Sequence, residues 1–352
     1  MSDAEYAGVK PVDPQHRLDD AALQNWLEQN LQGFQGPLSV SQFKGGQSNP
    51  TYRLDTPAKA YVLRRKPFGP LLPSAHAVDR EFRVISALHG AGFPTAYPHA
   101  LCRDEGVIGA MFYVMDMVEG RVFWDGALPA CEPAERRALY EAEISTLAQL
   151  HQLDPAAVGL QDYGKPGNYF ARQVERWSRQ YRASETDPIE AMDRLMEWLP
   201  RTIPVQERTS VVHGDYRLDN MIFAPDAPKV LAILDWELST LGDPLADFSY
   251  LLMSWVLPAN GRSGLSGLDL GELGIPTREE AVALYCRLTG RDGLPNLDWY
   301  FAYSLFRAAA ISQGIAGRVR DGTAASAQAV AAAATARPFA EQAWSFAQSA
   351  GA

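Results

Sequence analysis

Two carboxylates and one amide in the second half of the chain have the types and spacing needed to move a phosphoryl group. A polar run, HGDYRLDN at residues 213–220, lies between two short apolar segments, and a further apolar segment ends at Asp235. The carboxylate of Asp215 can take a proton. The amide oxygen of Asn220 and the carboxylate of Asp235 suit a hard cation such as Mg2+. The pattern predicts a polar loop between short strands that supports phosphoryl transfer from ATP to a hydroxyl group.

Two other interpretations of this loop remain open. Asp and Asn are common in turns, so the run also fits an ordinary polar turn. The His-x-Asp pair formed by His213 and Asp215 also fits a metallohydrolase. The spacing favours phosphoryl transfer, because Asn220 follows Asp215 by five positions and Asp235 follows it by twenty. We expect His213 to be structural, bonded to backbone carbonyl groups beside the loop.

The N-terminal part of the sequence predicts a small sheet with one internal helix. A leading amphipathic helix is expected over residues 19–31, and three strands are expected between residues 38 and 66, the first two joined by a glycine-bearing turn. Apolar residues between positions 78 and 88 share one side of a helix, and residues 111–115 form a strand. These elements must position any nucleotide site in this part of the chain.

After about residue 118 the pattern becomes mainly helical. Helices are expected over residues 133–151, 168–182 and 298–316, and the last is apolar almost all round, which is typical of a buried helix. The predicted fold class is α+β with two lobes, namely a nucleotide-binding lobe at 1–117 and a catalytic and substrate-binding helical lobe at 118–352.

Composition excludes several classes of function. The chain has 352 residues, a formal net charge of -10, and three separated cysteines, Cys102, Cys131 and Cys286. This charge argues against nonspecific nucleic-acid binding. Few cysteines, no signal-peptide pattern and no apolar run of eighteen residues favour a cytoplasmic protein without a membrane span. We expect a monomer or a homodimer.

The loop motif carries a resemblance to a known family. Asp215, Asn220 and Asp235 match the kinase pattern of an Asp, an Asn five positions later and a metal-binding Asp on a later strand. The chain resembles the aminoglycoside phosphotransferase and choline kinase branch of the protein-kinase-like fold. The metal-binding triplet at 235–237 reads Asp-Trp-Glu in place of Asp-Phe-Gly, which is normal for the small-molecule branch and argues against a regulated protein kinase.

The resemblance extends over roughly residues 35–320. Residues 241–248 (LGDPLADF) also look like this branch, and in them Asp243 and Asp247 are expected to tie down the catalytic loop. The chain resembles in particular the kinase-like domains associated with some acyl-CoA dehydrogenases and their free-standing bacterial relatives. That subgroup is associated with phosphorylation of hydroxyacyl-CoA thioesters.

The resemblance implies where ATP and Mg2+ bind. Residues 45–49 (GGQSN) would form a phosphate cradle, and Arg64 stands where kinases carry a phosphate-binding lysine. Its partner would be Glu81, and Lys66 and Arg65 are the alternatives to Arg64. Asn220 and Asp235 would hold Mg2+, and residues 115–119 would form the hinge that meets adenine through its backbone. The predicted cofactor-binding residues are Gly45, Gly46, Gln47, Ser48, Asn49, Arg64, Glu81, Met115, Met117 and Glu119.

Arginines outside the motif indicate an acceptor site. Arg172, Arg176 and Arg179 share a helix face and form either a solvated basic face or a site for a phosphate-bearing substrate such as an acyl-CoA. Arg307 lies inside the most apolar helix, so it needs a partner, either a structural carboxylate or a substrate anion. The candidate substrate residues are Tyr169, Arg172, Arg176, Arg179, Arg217, Glu237 and Arg307.

Together these features predict an ATP- and Mg2+-dependent phosphotransferase. The γ-phosphoryl group would pass to the hydroxyl of a small molecule, with Asp215 as the base and a hydroxyacyl-CoA as one candidate acceptor. An aminoglycoside or choline-type amino-alcohol kinase and a non-catalytic nucleotide-binding protein of kinase fold are the alternatives. The sequence leaves open whether ATP or GTP is the donor.

Overall fold

The structure combines an antiparallel sheet near the N-terminus with a mainly helical remainder. It is a computed structural model and describes residues 8–44, 49–68, 76–260, 262–324 and 327–352. The strands are β1 (Val9–Lys10), β2 (Ser39–Phe43), β3 (Thr51–Asp55), β4 (Ala60–Arg65), β5 (Pro98–Cys102), β6 (Phe112–Asp116), β7 (Ser210–Val212), β8 (Met221–Phe223), β9 (Val230–Ile233) and β10 (Thr240–Gly242). The α-helices are α1 (Asp20–Asn30), α2 (Val78–Gly90), α3 (Pro133–Gln152), α4 (Tyr169–Ser184), α5 (Glu190–Trp198), α6 (Leu245–Val256), α7 (Leu270–Leu273), α8 (Arg278–Thr289), α9 (Leu297–Arg320), α10 (Ala327–Ala333) and α11 (Ala336–Ser349).

The N-terminal sheet has the strand order β1-β2-β3-β4-β6-β5, and its neighbouring strands are antiparallel. The predicted strands of this part are confirmed, and β2 pairs antiparallel with β3 as the predicted hairpin requires. Residues 45–48 of the glycine-bearing turn lie outside the described residues. The edge strand β5 was not predicted, because its sequence PHALC lacks the apolar alternation that marks a half-buried strand. Strand β4 lies between β3 and β6, which holds Arg64 opposite Thr51 on one side and Tyr113 on the other.

Helix α1 covers one face of this sheet. The Asp19 carboxylate accepts a hydrogen bond from the backbone N–H of Ala22 at 2.9 Å, which satisfies a free donor of the first turn. Leu23 and Leu27 of α1 are fully buried and pack in a cluster that includes Phe112 of β6. The predicted leading helix is therefore confirmed, and it closes the core of the smaller lobe.

Helix α2 links the sheet to the helical part of the chain. Its buried residues Val78, Ile85 and Leu88 belong to a larger hydrophobic cluster that continues through the C-terminal helices. The same helix carries Glu81, which is 1% exposed, toward β4. A lobe boundary at residues 117 and 118 stays a prediction.

The central element of the helical part is α9, which contacts α4, α6, α10 and α11. Residues 299–307 of α9 are all buried, which confirms the prediction of a buried helix. Phe170 of α4 packs its ring edge against Trp299 and Tyr303. Within the described ranges, no helix is both long and apolar enough to cross a membrane.

The polar loop at 213–220 joins two short strands, β7 and β8, and each of them pairs with another short strand. The strands before and after the loop do not pair with each other, because β7 pairs with β10 and β8 pairs with β9, both antiparallel. The loop therefore passes from one two-stranded sheet to the other. This arrangement sets the end of β9, and with it Asp235, beside the loop.

Candidate active site

The backbone of the polar loop is held at its start by Asp247 of α6. The Asp247 carboxylate accepts the N–H of His213 at 2.5 Å and the N–H of Gly214 at 2.8 Å. Gly214 has a φ of +87°, a conformation that favours glycine, and a Cβ there would lie 3.0 Å from Leu238. The carboxylate thus fixes the turn that leads directly into Asp215.

The His213 ring is fully buried and bonded to backbone on both sides. Its Nε2 lies 2.7 Å from the carbonyl oxygen of Leu234, and its Nδ1 accepts the N–H of Asp215 at 3.2 Å. This pattern assigns the proton to Nε2 in a neutral imidazole. His213 therefore joins the loop to Leu234, the residue between β9 and Asp235, which agrees with the expected structural role and not with a metallohydrolase.

The expectation that both Asp243 and Asp247 hold the loop is wrong for Asp243. Its Oδ1 accepts the N–H of Leu245 at 2.9 Å, which caps the start of α6, and burial raises its pKa to about 6. Asp247 has a second partner in His151, whose Nε2 lies 3.6 Å away. Burial alone would raise the pKa of Asp247, but His151 and the loop N–H groups outweigh it and hold the pKa low.

The Asp215 carboxylate is oriented by two donors. Its Oδ1 accepts the hydroxyl of Tyr250 at 2.9 Å, and its Oδ2 accepts Nδ2 of Asn220 at 3.0 Å. Arg217 Nε lies 3.5 Å from Asp215 and 3.2 Å from Asp219. The side chain of Asp215 is 23% exposed, so a substrate can reach it. Burial and the neighbouring Asp215 raise the pKa of Tyr250, which keeps its hydroxyl protonated as a donor.

The two predicted metal ligands lie side by side. The N–H of Leu234 donates to the carbonyl oxygen of Asn220 at 2.8 Å, which brings Asn220 next to Asp235. Asp235 adopts a left-handed conformation, with φ 62° and ψ 63°, two residues after the end of β9. The chain turns away from β9 at Asp235, and the Oδ1 atom of Asp235 contacts Arg64.

The donor set fits Mg2+ better than a transition metal. In the described part of the chain, Asn220 Oδ1 and Asp235 Oδ2 accept no hydrogen bond, and both are hard oxygen ligands. No group of three or more His, Cys, Asp or Glu side chains converges there as a metal site. Mg2+ commonly takes one or two protein carboxylates and completes its shell with phosphates and water, so two protein ligands are enough.

Arg64 of β4 meets three carboxylates. Its Nε lies 2.8 Å from Glu81 Oε2, although the N–H is not aligned for a hydrogen bond, and its Nη2 lies 2.7 Å from Asp235 Oδ1 and 3.5 Å from Glu237 Oε2. Burial alone would lower the pKa of Arg64, but the three carboxylates raise it. The predicted pair of Arg64 with Glu81 is present, and Glu237, expected near the substrate, lies with them.

Glu81 accepts two further donors in the buried interior. Asn49 Nδ2 donates to it at 2.9 Å, and the hydroxyl of Tyr113 donates at 3.1 Å. Burial raises the pKa of Glu81 to about 7, while Arg64 opposes the rise. Of the predicted phosphate cradle, Asn49 is therefore next to the Arg64 cluster. The other members, Gly45, Gly46, Gln47 and Ser48, lie outside the described residues.

The two alternatives to Arg64 lie elsewhere. Arg65 is fully buried, donates from Nε to the hydroxyl of Tyr52 at 3.0 Å, and places its guanidinium 3.5 Å from the ring centre of Phe68. The backbone N–H of Lys66 donates to the carbonyl oxygen of Met111. Among the three basic residues, Arg64 is the one that contacts Asp235.

The predicted adenine contact is in the connector after β6. Met115 lies within β6 and pairs with Val62, whereas Met117 and Glu119 follow the last residue pair of β4 and β6. Within the described residues, the backbone groups of Met117 and Glu119 make no hydrogen bond. These groups are available to a nucleotide base, and the contact itself stays a prediction.

The three arginines of α4 do not form one site. Arg172 donates to the carbonyl oxygens of Gly167 and Lys165, so it closes the loop before α4. The guanidinium of Arg176 lies 5.3 Å from the ring centre of Trp177, and Arg179 is exposed. The structure therefore separates their roles. Of the three, Arg176 lies near Trp177, whose ring centre is also 5.6 Å from the guanidinium of Arg307.

Arg307 of α9 contacts the loop backbone and two aromatic rings. Its Nη2 donates to the carbonyl oxygen of Gly214 at 2.6 Å, and its guanidinium lies 5.1 Å from the ring centre of Tyr250 and 5.6 Å from that of Trp177. In the ranges that the structure describes, Arg307 forms no ion pair with a carboxylate, and its Nη2 is bonded to backbone instead. The expected structural carboxylate partner is therefore wrong.

Tyr169, another candidate substrate residue, is nearly buried at the start of α4. Its ring lies against Gly242 of β10, where a Cβ would lie 2.6 Å from the ring. Burial raises the pKa of Tyr169, and the neighbouring Tyr303 adds to the rise while Arg307 opposes it. Tyr169 therefore packs beside this region without a hydrogen bond from its hydroxyl in the described residues.

Tyr250 was missed in the sequence, although a signal was present. Asp247 and Tyr250 are three residues apart on α6, so they share a helix face. One holds the loop backbone and the other donates to Asp215. An expectation that Asp247 faces the loop therefore also implies that Tyr250 faces it.

The sequence matches one family model and is similar to a curated mouse protein. The model of the phosphotransferase enzyme family matches residues 39–282. Acyl-CoA dehydrogenase family member 10 of Mus musculus is 46% identical over 342 residues, which cover 96% of this chain and 32% of that protein. The chain thus spans about a third of that relative's length.

Two solved structures share the fold. A Ralstonia eutropha protein, described as a candidate aminoglycoside phosphotransferase, is 53% identical with a TM-score of 0.88, over 95% of this chain and 99% of that chain. Spectinomycin phosphotransferase, solved with ADP and spectinomycin, is 12% identical with a TM-score of 0.60, over 96% of this chain and 100% of that chain. The second likeness is one of fold alone.

Proposed function

The chain belongs to the phosphotransferase enzyme family, with a kinase-like fold and a small-molecule hydroxyl as acceptor, and we propose that it transfers the γ-phosphoryl group of ATP to a hydroxyacyl-CoA. The observation that carries this proposal is the convergence of Asp215, Asn220 and Asp235 opposite Arg64. Phosphoryl transfer depends on positioning and charge neutralisation more than on covalent chemistry of the protein, and these four residues supply both.

ATP would place its phosphates between Arg64 and the loop at 45–49. The planar guanidinium of Arg64 can donate two hydrogen bonds to phosphate oxygens. Glu81 Oε2 lies 2.8 Å from Arg64 Nε and forms an ion pair with it. Met117 and Glu119 would receive the base through their backbone groups. Asn220 and Asp235 would hold Mg2+, which when bound neutralises charge on the phosphates.

Asp215 would orient the acceptor hydroxyl and accept its proton. Tyr250 and Asn220 already fix the plane of the carboxylate, so little rearrangement is needed when the hydroxyl arrives. A base at this position commonly contributes about 10²–10⁴-fold to the rate.

The acyl-CoA acceptor is supported by charge and by the mouse relative. Arg217 lies 3.5 Å from Asp215, Arg307 donates to the carbonyl oxygen of the preceding residue Gly214, and Arg307 has no carboxylate partner among the described residues. Such positive charge favours an acceptor with carbonyl or acidic oxygens over a polycationic amino sugar. The mouse relative is named as an acyl-CoA dehydrogenase family member, which points to the same class of metabolite.

An acceptor screen tests the proposal. ADP release is measured with ATP and Mg2+ over hydroxyacyl-CoAs, choline-like amines, sugars and aminoglycosides, with Asp215→Asn as the matched inactive control. We expect turnover with hydroxyacyl-CoAs that the control lacks. Turnover with polycationic antibiotics alone would contradict the acceptor class, and nucleotide binding without turnover on any alcohol would favour a non-catalytic protein.

A further inference from the structure

Three polar side chains on α4 and α9 have hydrogen-bonding atoms without partners among the described residues. They are Arg307 and Tyr303, four residues apart on one face of α9, and Trp177 of α4. Arg307 Nε, the Tyr303 hydroxyl and Trp177 Nε1 are buried, and none has a hydrogen-bond partner among the described residues. We call Trp177, Tyr303 and Arg307 the α4–α9 polar cluster.

The three groups are close enough to influence one another. The guanidinium of Arg307 lies 5.6 Å from the ring centre of Trp177. Burial raises the pKa of Tyr303 to about 12, and Arg307 and the Trp177 N–H oppose that rise, although Trp177 and Tyr303 do not reach hydrogen-bond geometry. The unused donors therefore belong to one place in the fold.

The cluster borders the catalytic loop. Arg307 Nη2 donates to the carbonyl oxygen of Gly214, the residue before Asp215, at 2.6 Å. The same guanidinium lies 5.1 Å from the ring centre of Tyr250, whose hydroxyl donates to Asp215 at 2.9 Å. A group held by the cluster would therefore lie beside a hydroxyl held by Asp215.

The chemistry of the cluster selects its ligand. Arg307 and Trp177 can only donate hydrogen bonds, and the Tyr303 hydroxyl can donate as well. The exposed Arg176, whose guanidinium lies 5.3 Å from the ring centre of Trp177, adds positive charge. Native proteins satisfy nearly all their buried polar groups, so three unused ones beside a catalytic carboxylate indicate a ligand that accepts hydrogen bonds.

We propose that the α4–α9 polar cluster binds the acyl oxygen of the acceptor, while the acceptor hydroxyl lies at Asp215. The ligand is an acyl oxygen separated by a few bonds from a hydroxyl, either the carbonyl of a hydroxyacyl thioester or the carboxylate of the free hydroxy acid. This inference rests on the proposed function and deepens it. It assigns Trp177, Tyr303 and Arg307 to acceptor specificity.

Two substitutions test the cluster while keeping an aromatic side chain at each position. Tyr303→Phe and Trp177→Phe each delete one donor, whereas Arg307 is left intact because it also holds the loop backbone. Tyr181→Phe is the matched control, since Tyr181 is also buried on α4 with an unpartnered hydroxyl but lies near Arg182 and Glu185. Steady-state kinetics are measured with a hydroxy acid, its CoA thioester, and an alcohol of equal chain length without an acyl oxygen.

We expect the two cluster variants to raise KM for the acyl acceptors by about tenfold, with KM for ATP unchanged. The alcohol without an acyl oxygen should show the same KM in every variant. The acyl compound that responds identifies the source, thioester or free acid. If Tyr303→Phe and Trp177→Phe behave as Tyr181→Phe does, the cluster does not bind the acceptor.

Binding separates this inference from the proposed reaction. If the wild-type protein shows no turnover, calorimetric titration with the hydroxy acid and the thioester in the presence of ADP still reports on the cluster. Binding by the wild type that weakens in both cluster variants would support the site even though phosphoryl transfer had failed. Absence of binding by both compounds would overturn it.

Discussion

Arg64 Nη2 lies 2.7 Å from Asp235 Oδ1, so the cation expected to contact the phosphates and the carboxylate expected to bind the metal pair with each other. The two residues are 171 positions apart in the sequence. Each neutralises the other in the protein alone, and Mg2+ with ATP would offer each a new partner of opposite charge. The contact therefore joins the nucleotide-binding part of the chain to the catalytic part.

Asp235→Asn should chiefly weaken the response to Mg2+. The substitution keeps the size of the side chain but removes the charge that a hard cation needs, so we expect the Mg2+ concentration for half-maximal rate to rise about 10-fold or more. Rates are measured over a Mg2+ titration at fixed ATP. Asp226→Asn, on the exposed turn between β8 and β9, is the control. An unchanged metal dependence would count against Asp235 as a ligand.

Asp215→Asn should fold normally and lose turnover. The amide can still meet Asn220 and Tyr250 but cannot accept a proton, so we expect kcat to fall by about 10²–10⁴-fold. ADP affinity, measured by calorimetry, should stay near that of the wild type. Tyr250→Phe should reduce turnover less, because it removes only a donor that orients the carboxylate. Near-native turnover in Asp215→Asn would rule out the assigned role.

Nucleotide affinity should fall as the pH drops through about 7. Burial raises the pKa of Glu81 to about 7, so below that pH the side chain gains a proton and no longer pairs with charged Arg64. Glu81→Gln is neutral at every pH and should bind weakly throughout. The difference between the pH profiles of ADP affinity of the wild type and Glu81→Gln gives the contribution of Glu81 titration. The same acidic decline in both proteins would assign the titration to another group.

Asp247→Asn should disturb the loop, whereas Asp243→Asn should not. Asp247 holds two loop N–H groups in a buried site, so the amide should lower the unfolding free energy by about 1–3 kcal/mol and reduce kcat. Asp243 caps α6 instead, so its variant should lose stability with turnover preserved. Urea unfolding and kinetics of the folded variants are compared. Equal kcat values in the two variants would contradict the assignment.

Stability should decline from weakly acidic to alkaline pH because of Glu143. Both its carboxylate oxygens are buried without a partner among the described residues, and burial, with Asp219, raises its pKa to about 8. Between about pH 4.5 and 8 the folded protein holds a proton that the unfolded chain releases, so the unfolding free energy falls as pH rises.

Glu143→Gln removes this titration. We expect the variant to gain roughly 4 kcal/mol relative to the wild type between pH 5 and pH 9, with little difference at pH 5. Urea unfolding of both proteins at the two pH values measures the change. Parallel declines in both would show that Glu143 titrates normally.

Much of the fold and of the loop chemistry could be read from local pattern. Apolar periodicity predicted α1, α2, α3, α4 and the buried α9, because each face of a helix reports its own environment. The spacing of Asp215, Asn220 and Asp235 predicted a converging loop, and the structure brings these residues together. Strand β5 was not predicted because its sequence does not alternate between apolar and polar residues.

Partners distant in the sequence were decided only by the tertiary structure. The sequence could not reveal that β7 pairs with β10 rather than β8, that Asp243 caps a helix, or that Arg307 meets a carbonyl oxygen instead of a carboxylate. Periodicity tells which face of an element is buried but not which element covers it. The types and spacing of the reactive groups were set by the sequence alone, whereas packing of α4, α6 and α9 around the loop decided which groups surround Asp215.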